Sequence, residues 1–287
     1  MDIEEILVNP TFRSFVARRT LMDDRYASAV LAKHPAVVQE LVRKFTGMPD
    51  LEVMWSNTQV SFDAVGVHGV RRDVFAIDGK GNWHNIELQN APKGAHPKRA
   101  RLNSSSLVVH SLRPGDDYSK IPIIYVIFVV KDDLFGRGKQ LYHFVTKECD
   151  GDFALYDGSH IIYAVLDNAD DSDVGELLHD MTQTDSENMK NPVVKGMTHY
   201  AKETREGQES IMVPLYDEYK TEFEEARAEG RAQGLIEGKV EGKAEGLKEG
   251  KAEGLKEGKA EGRKEILDLL LEIGKLSKEE CDRLAAS

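Results

Sequence analysis

The triplet Glu87-Leu88-Gln89 lies in a short stretch that reads as a β-strand, and Asp73 lies near the start of the strand-like stretch before it. Side chains along a strand alternate between two faces, so Glu87 and Gln89 share a face with Asn85 while Ile86 and Leu88 point the other way. Residues directly opposite in an antiparallel pair also share a face. Asp73 therefore stands beside Glu87 only if the register pairs Ile77 with Trp83 and leaves residues 78–82 as the connection, a five-residue loop or a shorter turn with a bulge. That register is the prediction; pairing Asp73 with Leu88 would send the two carboxylates to opposite faces. Ionised carboxylates on neighbouring strands repel unless they share a proton or a cation stands between them. An oxygen-only pair suits Mg²⁺ or Mn²⁺, which keep several waters and accept phosphate oxygens.

The elements that must position this pair follow from periodicity. The first fifty residues read as helices, with His34-Pro35 ending one and opening the next. From Leu51 the period moves towards two, giving a strand or hairpin and then strands at 71–77 and 83–89 around the turn sequence Asp78-Gly79-Lys80-Gly81-Asn82. Residues 97–112 read as a helix that starts on a proline, carries Lys98, Arg99 and Arg101 in its first turns and stops at Pro114-Gly115. The apolar run 121–130 reads as a strand buried on both faces, followed by strands near 141–146 and 160–165 and a helix at 172–181. This order predicts an α/β or α+β domain over residues 1–205, then a helical connector at 206–228, a glycine-repeat tail at 229–262 and a helical hairpin at 263–287.

Composition restricts the function classes. The net charge of −12 argues against a surface that grips nucleic acid everywhere, while leaving room for a local basic groove. Two cysteines, Cys149 and Cys281, make no disulfide framework and lack metal-ligand spacing, which suggests a reducing cytoplasm. The longest apolar run is about half a membrane span, and the acidic first residues have no apolar leader core, so no membrane partner is expected.

The run Arg72-Asp73-Val74, then Asn85-Ile86-Glu87-Leu88-Gln89, then Lys98-Arg99-Ala100-Arg101, Gly115 and Tyr118 and the apolar strand resembles the PD-(D/E)XK nuclease family transposases, also called Rpn recombination-promoting nucleases. The similarity covers most of residues 20–200, and a glycine-rich tail is typical of that group. The resemblance implies a restriction-endonuclease-like fold and a metal-dependent DNA endonuclease linked to recombination. It makes Asp73 and Glu87 the metal-binding carboxylates, gives the Leu88 backbone carbonyl a place in the metal shell and sets Gln89 where the motif lysine positions the attacking water. Asp23 corresponds to an additional acidic residue, and Lys98, Arg99 and Arg101 to a basic, DNA-contacting helix. Leu102-Asn103 stand where the family carries an aromatic pair. Without the resemblance, Asp73 reads as a strand cap and Glu87 as a solvated strand residue. The competing function is a catalytically silent nucleic-acid-binding or oligomeric interaction protein.

In the tail, glycine falls at every fourth residue from Gly230 to Gly262. Four residues of helix turn about 400°, so the glycines wind round the axis and make no straight seam. Each costs roughly 1 kcal/mol against alanine, which predicts a marginal helix that frays unless something packs on it. Membrane pairing through Gly-x-x-x-Gly is excluded by the charged residues between the glycines. Beyond it, an apolar helix at 266–273 and a capping box at Ser277-Lys278-Glu279-Glu280 predict a terminal hairpin with an unburied face. Formation of a homo-oligomer through the tail, or docking back onto a core, would bury that face.

Overall fold

The apolar run ending at Val130 forms the centre of the molecule. In the computed structural model, which describes residues 3–62, 70–275 and 277–285, strand β4 (Ile124–Val130) is buried at every position. Around it a six-stranded sheet forms in the order β1-β2-β3-β4-β6-β5. Its other strands are β1 (Val53–Phe62), β2 (Val70–Asp78), β3 (Trp83–Gln89), β5 (Leu141–Val145) and β6 (Ser159–Val165). The pairs β1–β2, β2–β3 and β5–β6 are antiparallel, whereas β3–β4 and β4–β6 are parallel. The parallel centre explains the unbroken apolar run, because helical layers cover both of its faces.

On one face, Val74, Ala76, Ile86, Leu88, Ile127 and Val129 share a core with helices α1 (Ile3–Val8), α2 (Pro10–Ala17), α3 (Asp24–Leu31), α4 (Pro35–Thr46), α6 (Asp173–Asp180) and α7 (Pro192–Glu203). The first turns of α8 (Arg205–Glu272) join that core through Ile211, Met212, Leu215 and Tyr219. Lys202 ties the end of α7 to the carbonyls of Ala17, Arg19 and Thr184, and Tyr219 sets its ring edge-on against Phe12 at 5.1 Å. The opposite face packs Phe75, Val126, Phe128 and Tyr163 against Ala100 and Leu107 of α5 (Pro97–Ser111). The result is an α/β architecture with a mixed sheet between helical layers.

The carboxylate hairpin takes the expected register, with Ile77 opposite Trp83 and Val74 opposite Ile86. Asp78 closes its turn by accepting the N–H groups of Lys80 and Asn82, and its second oxygen meets Nε2 of the buried His84 at 3.0 Å. His84 stacks on Tyr125, which stacks on His160. These contacts hold the turn end of the hairpin; the carboxylates stand at the other end.

The chain divides into two compact units, Met1–Tyr219 and Lys220–Ser287. The expected connector, repeat and first hairpin helix are one continuous helix, α8, which stops before Gly274 in a left-handed conformation (φ 70°). Helix α9 (Lys278–Ala285) opens on the predicted capping box: Glu280 accepts from the Ser277 N–H at 2.9 Å, and Ser277 Oγ accepts from the Glu280 N–H at 3.4 Å. Cys281 of α9 is buried beside Leu267.

Candidate active site

Asp73 and Glu87 meet where β2 leaves β3. The ladder between these strands stops at Val74 and Ile86, one residue short of the carboxylates. Beyond it, the Asp73 Oδ2 atom accepts the Leu88 N–H at 2.8 Å and so replaces a strand carbonyl with a side chain. In β1, Thr58 pairs with Val74 and Val60 with Arg72, and the intervening Gln59 has φ 55°. A left-handed non-glycine residue marks local strain of about 1–3 kcal/mol. It accompanies an altered alternation, since Arg72 reaches under α5 to Ser106 Oγ at 3.1 Å although its neighbour Asp73 interacts with Glu87.

Glu87 has no solvent exposure. Asn85 Nδ2 donates to its Oε1 at 3.0 Å, and Arg99 Nη2 donates to its Oε2 at 2.8 Å. Burial and the charge of Asp73 push the Glu87 carboxyl up to about 7, against the opposing effects of Asn85, Arg99 and Arg72. Burial in turn brings the Arg72 guanidinium down to about 10. The Asn85 Oδ1 atom is buried with no hydrogen-bond partner, as are both polar atoms of the Asn103 side chain on α5. Buried polar atoms without partners are costly, and they concentrate where water, an ion or substrate belongs.

Gln89 turns towards the 3-10 turn Pro92–Ala95, where its Oε1 accepts from Arg99 Nη1 at 3.3 Å. The same Nη1 donates to the Gly94 carbonyl at 2.7 Å. A Cβ at residue 94 would lie 1.8 Å from Gln89 Oε1, so any side chain there would displace the Gln89 amide. Tyr163 of β6 secures the turn by donating to the Ala95 carbonyl at 3.0 Å.

The basic helix therefore divides in function. Lys98 and Arg101 are exposed, while Arg99 points inward and neutralises Glu87. Asp23 has a different partner set: it precedes α3, accepts from the Thr20 N–H and Oγ, and pairs with Arg19 at 3.5 Å. Among the described residues no group of three His, Cys, Asp or Glu side chains could hold a metal, so Asp23 completes no acidic triad. Sequence reasoning set Asn85 on the correct face and named Arg72 and Asn103 without giving any of the three a role in the site, and it missed Gly94. The polar Asn103 on an otherwise inward-facing turn of α5 was the available signal. No protein-family model, curated protein or solved structure matches the chain. Among the described residues no helix is long and apolar enough to cross a membrane.

Proposed function

We propose that this chain is a metal-dependent DNA endonuclease of the PD-(D/E)XK transposase type, with a restriction-endonuclease-like core. The observation that carries this reading is Glu87, a fully buried carboxylate that burial and then the charge of Asp73 drive towards protonation. Such a pair is stabilised by a cation. Asp73, Glu87 and the unpartnered Asn85 Oδ1 form an oxygen-only donor set, which fits Mg²⁺ or Mn²⁺. Asp73 and Glu87 would hold the ion together with the Leu88 carbonyl. Bound there, the ion would supply a water of lowered pKa and would offset the charge of the scissile phosphate.

The chain's own groups divide the remaining work. Gln89 positions the attacking water with its amide, having no charge to offer a developing anion. Arg99 balances Glu87 before substrate arrives and can turn its guanidinium to a phosphate afterwards. Lys98 and Arg101 contact backbone phosphates, which makes binding salt-dependent and largely independent of sequence.

Nicking of supercoiled plasmid in Mg²⁺ tests the reading. Asp73→Ala and Glu87→Ala should each slow it about a hundredfold or more, equivalent to roughly 3 kcal/mol of transition-state stabilisation. Wild type that nicks no faster than these variants would overturn it. A catalytically silent nucleic-acid-binding or interaction protein is favoured by one contact, the Arg99–Glu87 pair that already satisfies the acid. Mn²⁺ titration followed by electron paramagnetic resonance separates the two: binding lost in Glu87→Ala supports the enzyme, and no binding by wild type supports the silent protein.

A further inference from the structure

The glycine repeat of α8 conceals a second pattern. Ile236, Val240, Leu247, Leu255 and Ile266 are large aliphatic residues left 59–64% exposed. On a straight helix at about 100° per residue, Ile236 and Ile266 stand about 120° apart, so these residues form no common face. At about 3.75 residues per turn, fifteen residues complete four turns and the drift disappears. Ile236, Lys251 and Ile266 then align, with Val240, Leu255 and Leu270 about 24° to one side and Leu247 about 24° to the other. A seam with a period above 3.6 closes when helices wind about one another with a right-handed twist.

Charges beside this seam change sign along the helix. In its first half Glu229 and Glu237 flank one side, and Arg231 and Lys239 the other. In its second half Lys259 takes the first side, opposite Glu261 and Glu265. An identical helix laid parallel and in register brings unlike charges together at both levels. An antiparallel copy centred on Lys251 would also match unlike charges and would keep Ile236 against Ile266 and Leu247 against Leu255, but it would set Val240 against Gly262 and Leu270 against Ala232, two apolar layers that the parallel pair retains. In this frame the glycines begin on the far side and reach the seam at Gly262, where two backbones can approach closely. We infer that the Lys220–Ser287 unit pairs with the same unit of a second copy as a parallel, right-handed two-stranded coiled coil. Lys251 meets its own equivalent in the seam, which weakens the pair while penalising other registers. This pairing depends on the tail alone and stands whether or not the nuclease reading holds.

Sedimentation equilibrium of the full chain should give twice the 32.1 kDa chain mass. Leu247→Glu should weaken association at least about tenfold by placing two carboxylates in the seam, and Lys251→Leu should strengthen it by about the same factor. With Cys149→Ser and Cys281→Ala in the background, Ile236→Cys should oxidise to a cross-linked dimer. A monomeric wild type would overturn the pairing. A dimer indifferent to Leu247→Glu, or one that forms no cross-link through Ile236→Cys, would overturn this seam.

Discussion

Glu87 receives hydrogen bonds from both Asn85 and Arg99, yet its carboxyl is pushed up to about 7 because burial and Asp73 outweigh them. The sign for stability follows directly. The unfolded chain releases this proton near the ordinary glutamate value and the folded chain only near 7, so stability falls as pH rises between them. The full loss is on the order of 3 kcal/mol. Chemical denaturation across pH 4.5–7.5 should show it, and Glu87→Gln should flatten that part of the profile; an unchanged slope would refute the assignment. Of this site, the two carboxylates and their shared face were legible because strand alternation is a local rule. The inward turn of Arg99 was not, since Lys98, Arg99 and Arg101 look alike until α5 is set on the sheet. Arg72 was hidden by the distortion at Gln59, which breaks the alternation that sequence reading assumes.

Among the elements, the strands and α5 were readable because each carries its own period and stop signals, Pro97 and Pro114-Gly115 among them. The short Pro92–Ala95 turn was not, yet it fixes Gln89 and Arg99 together. Gly94→Ala tests that role. The atom in its way is the end of a flexible side chain, so the turn can persist while Gln89 moves off Arg99. Melting temperature should change by no more than a few degrees, whereas Mg²⁺-dependent nicking should fall about tenfold or more, in keeping with the cost of displacing a positioning group. Equal losses in both would mean the turn is structural only. In the tail, helix was legible from the Ala, Leu, Lys and Glu positions, and α8 runs through the repeat, although glycine propensity makes it marginal on its own. Propensity counts each residue alone and omits what a partner along an exposed apolar line contributes.

For the whole molecule, the boundary at Tyr219 sets where the chain can be cut. A fragment of residues 1–228 keeps Ile211, Met212, Leu215 and Tyr219 in the core and should melt cooperatively within a few degrees of the full chain. A fragment of residues 1–204 loses all four and should lose several kcal/mol, enough to abolish a sharp transition by calorimetry. Two equally cooperative fragments would show that the first turns of α8 are dispensable. The contacts of Lys202 with Ala17 and Arg19, and of Tyr219 with Phe12, also govern assembly during synthesis. The hairpin bearing Asp73 and Glu87 is local and can form as soon as it leaves the ribosome. The α2 helix made before it keeps Phe12 and Phe15 without their Tyr219 partner until some two hundred more residues have followed. Helix α2 is thus seated late, and the nascent chain leaves Phe12 and Phe15 without Tyr219 while those residues are made.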